Sequence, residues 1–328
     1  MPSDKKNNNL KHLAGSLLRA KETGILIPLL VMIIALSIFA KNFLTSDNIF
    51  SLMRAACFEG IVAIGMLIVI LTGGLDLSVA SNMAFIGILS SLFVVKLGMP
   101  TILAILISII VGGFIGLVNG FFINKLHLGA IIVTLGMMSV VRGLGYIITK
   151  GLPITGLPES YTYLGQGLIG GFFPVPIVFF IGIAVIVHII LKKTVIGYHI
   201  FAIGGNETAS SYSGINVEKV RYISYAMCGA LAGLGGVLLI GRLGVAQPSI
   251  AVGYELTIIA AVIIGGASLN GGEGSVLGGV IGILIIAVIR NGLVLMDIGG
   301  YYIQFTNGLL ILTAVVINRL RNIKREYE

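Results

Sequence analysis

Residues 191–221 read LKKTVIGYHIFAIGGNETASSYSGINVEKVR, and the way this stretch is read divides the rest of the chain. It is a polar island, with Lys192 and Lys193 at its start and Lys219 and Arg221 at its end. The long apolar runs on both sides are of a kind that a bilayer accommodates and water does not. Inside the island Asn206 stands where a helix N-cap is expected, Glu207 falls in the first turn, and Gly214 is a natural C-terminal stop. The spacing predicts a helix over 207–213 of about two turns, too short to be stable without a surface to rest on. Its small polar side chains argue against a helix lying in lipid, which requires a broad apolar face. An ordinary loop helix is the plain alternative to a docking element.

The 328 residues are 57% hydrophobic and 10% charged. Soluble domains carry about a quarter charged residues, so the composition defines an all-α polytopic membrane protein. Apolar runs occur at about 25–40, 55–71, 77–95, 101–123, 131–149, 175–191, 223–240, 256–267, 276–296 and 301–317. They predict about ten transmembrane helices (8–10), although the first and eighth runs fall short of the roughly twenty residues a straight span needs. The first run is not followed by a small-residue cleavage pattern and is read as an uncleaved span. The 46 glycines suit backbones that must approach closely where lipid offers no hydrophobic drive for association.

The charges set the orientation. With both termini in the cytosol, the inner side receives Lys5, Lys6, Lys11, Arg19 and Lys21, then Lys125 and His127, the island's four basic residues, and finally Arg319, Arg321, Lys324 and Arg325. The outer loops keep Lys41, Arg54, Lys96, Lys150 and Arg242, scattered and partly offset by Asp47, Glu159 and Glu255. This positive-inside bias accounts for the net charge of +8 without nucleic acid as a partner. The chain is then a single transmembrane domain, with a cytosolic tail at 1–24, a cytosolic loop at 192–221 and a second tail at 319–328. A Gly- and Pro-rich loop, 151–174, lies outside.

Two glycine-rich turns break apolar helices: TGGLDLS at 72–78 and GGASLNGGEGS at 265–275. Each follows an apolar run led by a Glu-containing segment, Phe58-Glu59-Gly60 and Tyr254-Glu255-Leu256, an echo that two halves built on one plan, or chance similarity of glycine-rich membrane turns, would produce. Both turns fall on the cytosolic side of the span count, which suits a parallel repeat. Non-helical backbone at membrane depth must be buried in protein or line water. Gly73, Gly74, Gly265, Gly266, Gly271 and Gly272 are therefore candidate gate hinges, and Asp76 is placed either to cap the next helix or to take part in a gate.

Polar residues inside spans face a bundle interior or a water path. The candidates for a translocation path are Glu59, Asp76, Asn119, Arg142, Asn291, Gln304 and Asn307, beside Asn82, His188 and Arg290. Each is also a candidate for plain interhelical hydrogen bonding. Glu59 and Arg142, as full charges, are expected to pair or to hydrate a path, and Arg290 and His188 to reach toward the span ends. No phosphate loop, H-E-x-x-H or G-x-S-x-G occurs in the chain, and Cys57 and Cys228 read as reduced packing residues without metal-ligand spacing. An enzyme, a metal centre or a cofactor held by this chain is not expected.

TGGLDLSV (72–79), AIGGNETASSYSGINV (202–217), AQPSIAVGYEL (246–256) and IIGGASLNGGEGSVLG (263–278) closely resemble segments of the ribose-type permeases of bacterial ATP-binding-cassette importers. The resemblance runs from about Phe43 to Leu320. It implies a vitamin-B12-permease-like bundle in the bacterial inner (cytoplasmic) membrane. The partners it implies are a cytosolic ATPase that binds Mg-ATP, a second and usually identical permease subunit, and an extracytoplasmic sugar-binding protein. It implies transport of ribose or a similar monosaccharide, against the alternative of an ion-coupled secondary transporter. By the same resemblance the ATPase-coupling residues are Gly204, Gly205, Asn206, Glu207, Ala209, Ser210, Gly214 and Ile215. The chain departs from the pattern at Ser210-Ser211-Tyr212, where relatives often carry Thr or Arg followed by Leu, so its docking surface is less basic.

Overall fold

The computed structural model describes residues 23–299 together with 301, 302, 305, 306, 308–310, 312, 313 and 316. Gln304, Asn307, residues 1–22 and the tail 319–328 lie outside the described residues. The first half of the chain forms α1 (Thr23–Phe39), α2 (Ser46–Leu71), α3 (Val79–Val95), α4 (Thr101–Lys125) and α5 (Ala130–Thr149). A short helix α6 (Glu159–Gln166) and an antiparallel ribbon of β1 (Leu168–Ile169) with β2 (Phe173–Pro174) follow. The second half comprises α7 (Val175–Lys193), α8 (Val195–Gly205), α9 (Glu207–Tyr212), α10 (Val217–Leu243), α11 (Tyr254–Ile264) and α12 (Val276–Leu295).

Nine of the ten predicted apolar runs coincide with α1–α5, α7 and α10–α12, and the tenth falls where the described residues become scattered. Among the described residues six helices, α2, α4, α5, α7, α10 and α12, are long and apolar enough to cross a membrane, while α1, α3, α8 and α11 are apolar but shorter. The chain is a multi-pass membrane protein.

Burial sorts these helices. The most apolar window of α2 is 89% buried inside the molecule, against 28% for α4 and 17% for α5. Every residue of α2 from Ala56 to Leu71 is buried, so this helix is surrounded by protein, whereas α5 sends Ile131, Ile132 and Ile147 outward, as a lipid-facing helix must. Around α2 pack α10, α12, α7 and α11. A smaller apolar cluster joins α1 to α12 through Ile25, Leu29, Phe43, Ile285 and Val288.

The centre of the bundle is held by α10, which packs on α2, α3, α4 and α6. It does so through glycine, backbone against backbone. A Cβ at Gly116 of α4 would overlap the Tyr225 carbonyl of α10, one at Gly229 would overlap the Gly112 carbonyl, and one at Gly236 would overlap the Met83 carbonyl of α3. Asn82 completes the crossing: its Nδ2 donates to Gly112 O at 3.2 Å and to Gly229 O at 3.1 Å. Without a hydrophobic drive between helices, contact this close and bonds of this kind are what hold the helices together.

Three features differ from the sequence reading. The island contains the helix α8 as well as α9, because Thr194 Oγ1 accepts from Gly197 N at 3.3 Å and starts a helix that buries Gly197, Ile200 and Ile203. Helix α10 begins at Val217, ahead of its apolar run, because Asn216 Oδ1 accepts from Lys219 N at 2.9 Å and caps it. The loop 151–174, expected outside, carries α6, whose Tyr161 is buried with its hydroxyl 2.6 Å from Ser90 Oγ. Burial pushes that phenol up to about 12, so it remains a neutral hydrogen-bonding group.

The packing at the α4–α10 crossing makes a direct test. Gly116→Val is expected to lower the unfolding midpoint of the detergent-purified protein sharply, the cost of overpacking being about 1–3 kcal/mol or more. Gly143→Ala, at a helical glycine with no neighbour within 4 Å, is expected to leave the midpoint unchanged or raise it.

Candidate functional site

The island folds largely as its cap residues require. Asn206 Oδ1 accepts from Ala209 N at 2.9 Å and starts α9. At the other end Gly214, at φ +85°, turns the chain while Gly214 N bonds Ser211 O at 3.0 Å and Ile215 N bonds Ser210 O at 3.1 Å. The predicted coupling residues divide into two groups. Gly205, Asn206, Glu207, Ala209 and Gly214 are exposed, whereas Ser210 is buried and Gly204 and Ile215 are half-buried. Tyr212, at the end of α9, is 88% exposed and is the most prominent aromatic of the island.

The seat beneath this loop is formed by the two glycine turns. A Cβ at Gly204 would overlap Leu71 O, at the end of α2, and Gly272 N in the second turn. Gly272 N itself donates to Leu71 O at 3.0 Å. The turns 72–78 and 265–275 thus lie side by side at one end of the bundle under the island, each after a helix that runs toward that end. Among the candidate hinge glycines, Gly73, Gly266, Gly271 and Gly272 have positive φ, and Gly74 and Gly265 sit against Tyr225 Oη and the Gly278 backbone. Turn geometry and close packing account for all six.

Asp76 and Asn119 are brought together in a buried knot. Asp76 Oδ1 accepts from Ser78 N at 2.9 Å and from the Ser78 hydroxyl at 2.5 Å, and Asn119 Nδ2 donates to Ser78 Oγ at 3.0 Å. The Tyr225 hydroxyl of α10 donates to Leu75 O of the same turn at 3.2 Å. Asp76 therefore organises the entry to α3 through Ser78, the residue at the cap position.

The other end of the bundle carries the remaining charges. Glu59 does not pair with Arg142. It accepts from Arg290 Nη1 and is 5% exposed, and Arg290, expected to reach for the span end, is turned inward by this bond. Arg142 Nη1 donates instead to the carbonyls of Pro248 and Ile250, the latter at 2.7 Å, and ties α5 to the loop before α11. Asn291 exchanges amide hydrogen bonds with Asn48 at 2.8 and 3.0 Å. Phe58 and Tyr254 supply ring faces to Arg242 and Arg290, with guanidinium carbons 5.6 and 5.8 Å from the ring centroids. Asn48, Arg242 and Tyr254 were not singled out by the sequence as members of this group. Tyr254 and Glu59 do both lie in the Glu-led segments of the internal echo.

The fold therefore consists of a multi-pass bundle with an exposed loop seated on two glycine turns. That arrangement belongs to a transport subunit: residues 48–317 match the family described as the permease component of the branched-chain amino acid transport system, and the chain belongs to this family. It is a permease, not itself an enzyme. The chain is 40% identical over 296 residues to the ribose import permease protein RbsC of Escherichia coli (strain K12), covering 89% of this chain and 92% of the relative. RbsC of Bacillus subtilis (strain 168) is 40% identical over 304 residues, 92% of this chain and 94% of the relative. The L-arabinose transport system permease protein AraH of Escherichia coli (strain K12) is 37% identical over 298 residues, 91% of this chain and 90% of the relative. No solved structure matches the chain.

Glu59 is buried and Arg290 half-buried, with 25% of its side chain exposed, so removing Glu59 leaves a partly screened charge uncompensated, at a cost below the about 3–5 kcal/mol of a fully buried pair. Glu59→Gln is accordingly expected to destabilise the purified permease more than the double variant Glu59→Gln/Arg290→Met, as read by thermal unfolding in detergent.

Proposed function

We propose that the chain is the membrane-spanning permease of an ATP-driven importer that carries a monosaccharide of the ribose or arabinose kind. The observation that carries this reading is the full-length similarity to ribose and arabinose permeases. Beside it stands an exposed loop that a packed end of the bundle holds in place. The island end is cytosolic by its excess of basic residues, Lys125, His127, Lys192, Lys193, Lys219 and Arg221, in a bacterial inner membrane. The partner there is an ATP-binding-cassette ATPase, which binds Mg-ATP, since this chain has no phosphate loop of its own. A second copy of the permease completes the path.

The opposite end receives the sugar from an extracytoplasmic binding protein. Its landing area would be the loops 151–174 and 242–254, which are joined: Ile154 and Ala246 exchange backbone hydrogen bonds at 2.8 and 3.0 Å, and Gln166 Nε2 donates to Arg242 O at 2.8 Å. ATP binding closes the partner ATPases, the island moves with them, and the bundles rock between outward- and inward-open states. An ion-coupled carrier would need free carboxylates at membrane depth. Glu59 is neutralised by Arg290, Asp76 is tied to Ser78 and Glu255 faces the Arg142 charge, so no chain of free acidic groups supports that alternative.

Proteoliposomes holding the permease with its ATPase, and supplied with the binding protein, are expected to accumulate labelled ribose or arabinose only with ATP on the ATPase side. Uptake by this chain alone, driven by an ion gradient, would overturn the proposal. Ala209→Arg, on the exposed face of α9, is expected to lose the ATPase in a pull-down while the permease keeps its unfolding midpoint.

A further inference from the structure

We infer that α10 is the lever by which the island acts on the outer entrance, and that Arg221 is the positioning residue through which the island grips it. The inference rests on the transport reading above and adds the route the motion takes.

The grip is geometric. Arg221 donates from Nη1 to Glu207 Oε1 at 3.0 Å and from Nη2 to Glu207 Oε2. Two parallel bonds between a planar guanidinium and a planar carboxylate fix an angle as well as a distance. Glu207 is the first residue of α9, and Arg221 lies one turn into α10. The fork therefore sets the angle between the docking helix and the central helix. With side chains 51% and 24% exposed, this pair adds little to global stability, so its place between two helices is not explained as a fold-holding contact.

The lever is rigid where it has to be. Helix α10 has 27 residues, a length of about 40 Å, and passes through the bundle on backbone-to-backbone contacts at Gly229 and Gly236. No compliant layer of long side chains lies at those crossings to absorb a displacement. At its far end Gly241 lies against the backbone of Tyr161 and Gly165 in α6, Arg242 O holds Gln166, and Ala246 is bonded to Ile154. A tilt imposed at Arg221 therefore reaches α6 and the loop 151–174 directly. Helix α2, which also meets the island at Leu71, is seated on α10 just as closely, with Gly65 against the Cys228 backbone and Gly235 against Phe58 O, so it travels with the lever.

The test uses the permease assembled with its ATPase and binding protein in proteoliposomes. It compares wild type with Arg221→Gln and Arg221→Lys, which leave the exposed coupling residues of the island unchanged. Sugar imported per ATP hydrolysed is measured, together with the ATP-dependent reactivity of Tyr163→Cys in α6 toward a membrane-impermeant maleimide. Cys57 and Cys228 are buried and stay silent. The expected result for Arg221→Gln is an ATPase that still co-purifies and hydrolyses, a roughly tenfold fall in sugar moved per ATP, and no ATP-dependent change at position 163. Arg221→Lys, which keeps the charge facing Glu207, should recover a substantial part of both. Wild-type values of both readouts in Arg221→Gln would overturn the lever, and so would an Arg221→Lys no better than Arg221→Gln. A wild-type chain that binds no ATPase or imports no sugar would overturn the transport reading instead, before any variant is compared.

Discussion

The structure depends on one constraint: in a bilayer, helices are held by contact close enough for their backbones to touch. Helix α10 meets α4 at Gly229 and Gly112, and it meets α3 at Gly236 and Met83. Each approach places a polar backbone group where lipid cannot come, and Asn82 bonds two of the carbonyls involved. The same close approach lets the glycine turns and Gly204 share one small volume under the island. Larger residues at these positions would separate the helices, and the polar groups between them would lose their partners.

The apolar runs were legible because a membrane enforces length and composition. The short helix of the island was legible because Asn206 and Gly214 act locally, through bonds to residues three to four positions away. Helix α8 was not, since Thr194 is a quieter cap and the two lysines before it mask an apolar stripe at 197, 200 and 203. The polar partners were least legible. That Glu59 meets Arg290, that Arg142 meets two carbonyls, and that Asn48 meets Asn291 all follow from which helices become neighbours, and one chain's pattern does not encode that.

Glu59, Asp76, Asn82, Asn119, Arg142, Arg290 and Asn291, singled out inside the spans, are engaged with one another, with other polar side chains or with backbone. Asp76 and Asn119 close a knot with Ser78, Asn291 is paired with Asn48, and Arg142 fastens a loop. In this chain such residues chiefly bind the bundle into a body that can move as a unit. That suits a protein whose energy comes from outside: a tied bundle transmits an imposed displacement, whereas a loosely packed one dissipates it.

The ion pair between Glu59 and Arg290 joins residues 231 positions apart. During synthesis α2 reaches the membrane long before α12 exists, so Glu59 enters the bilayer ahead of its counter-charge. It must be tolerated there, by contact with water or the insertion machinery, until the last third of the chain arrives. Helix α2 lies at the centre of the finished molecule, yet its charge is settled among the last, and a chain truncated before Arg290 would leave the protein's core with an unmatched acid.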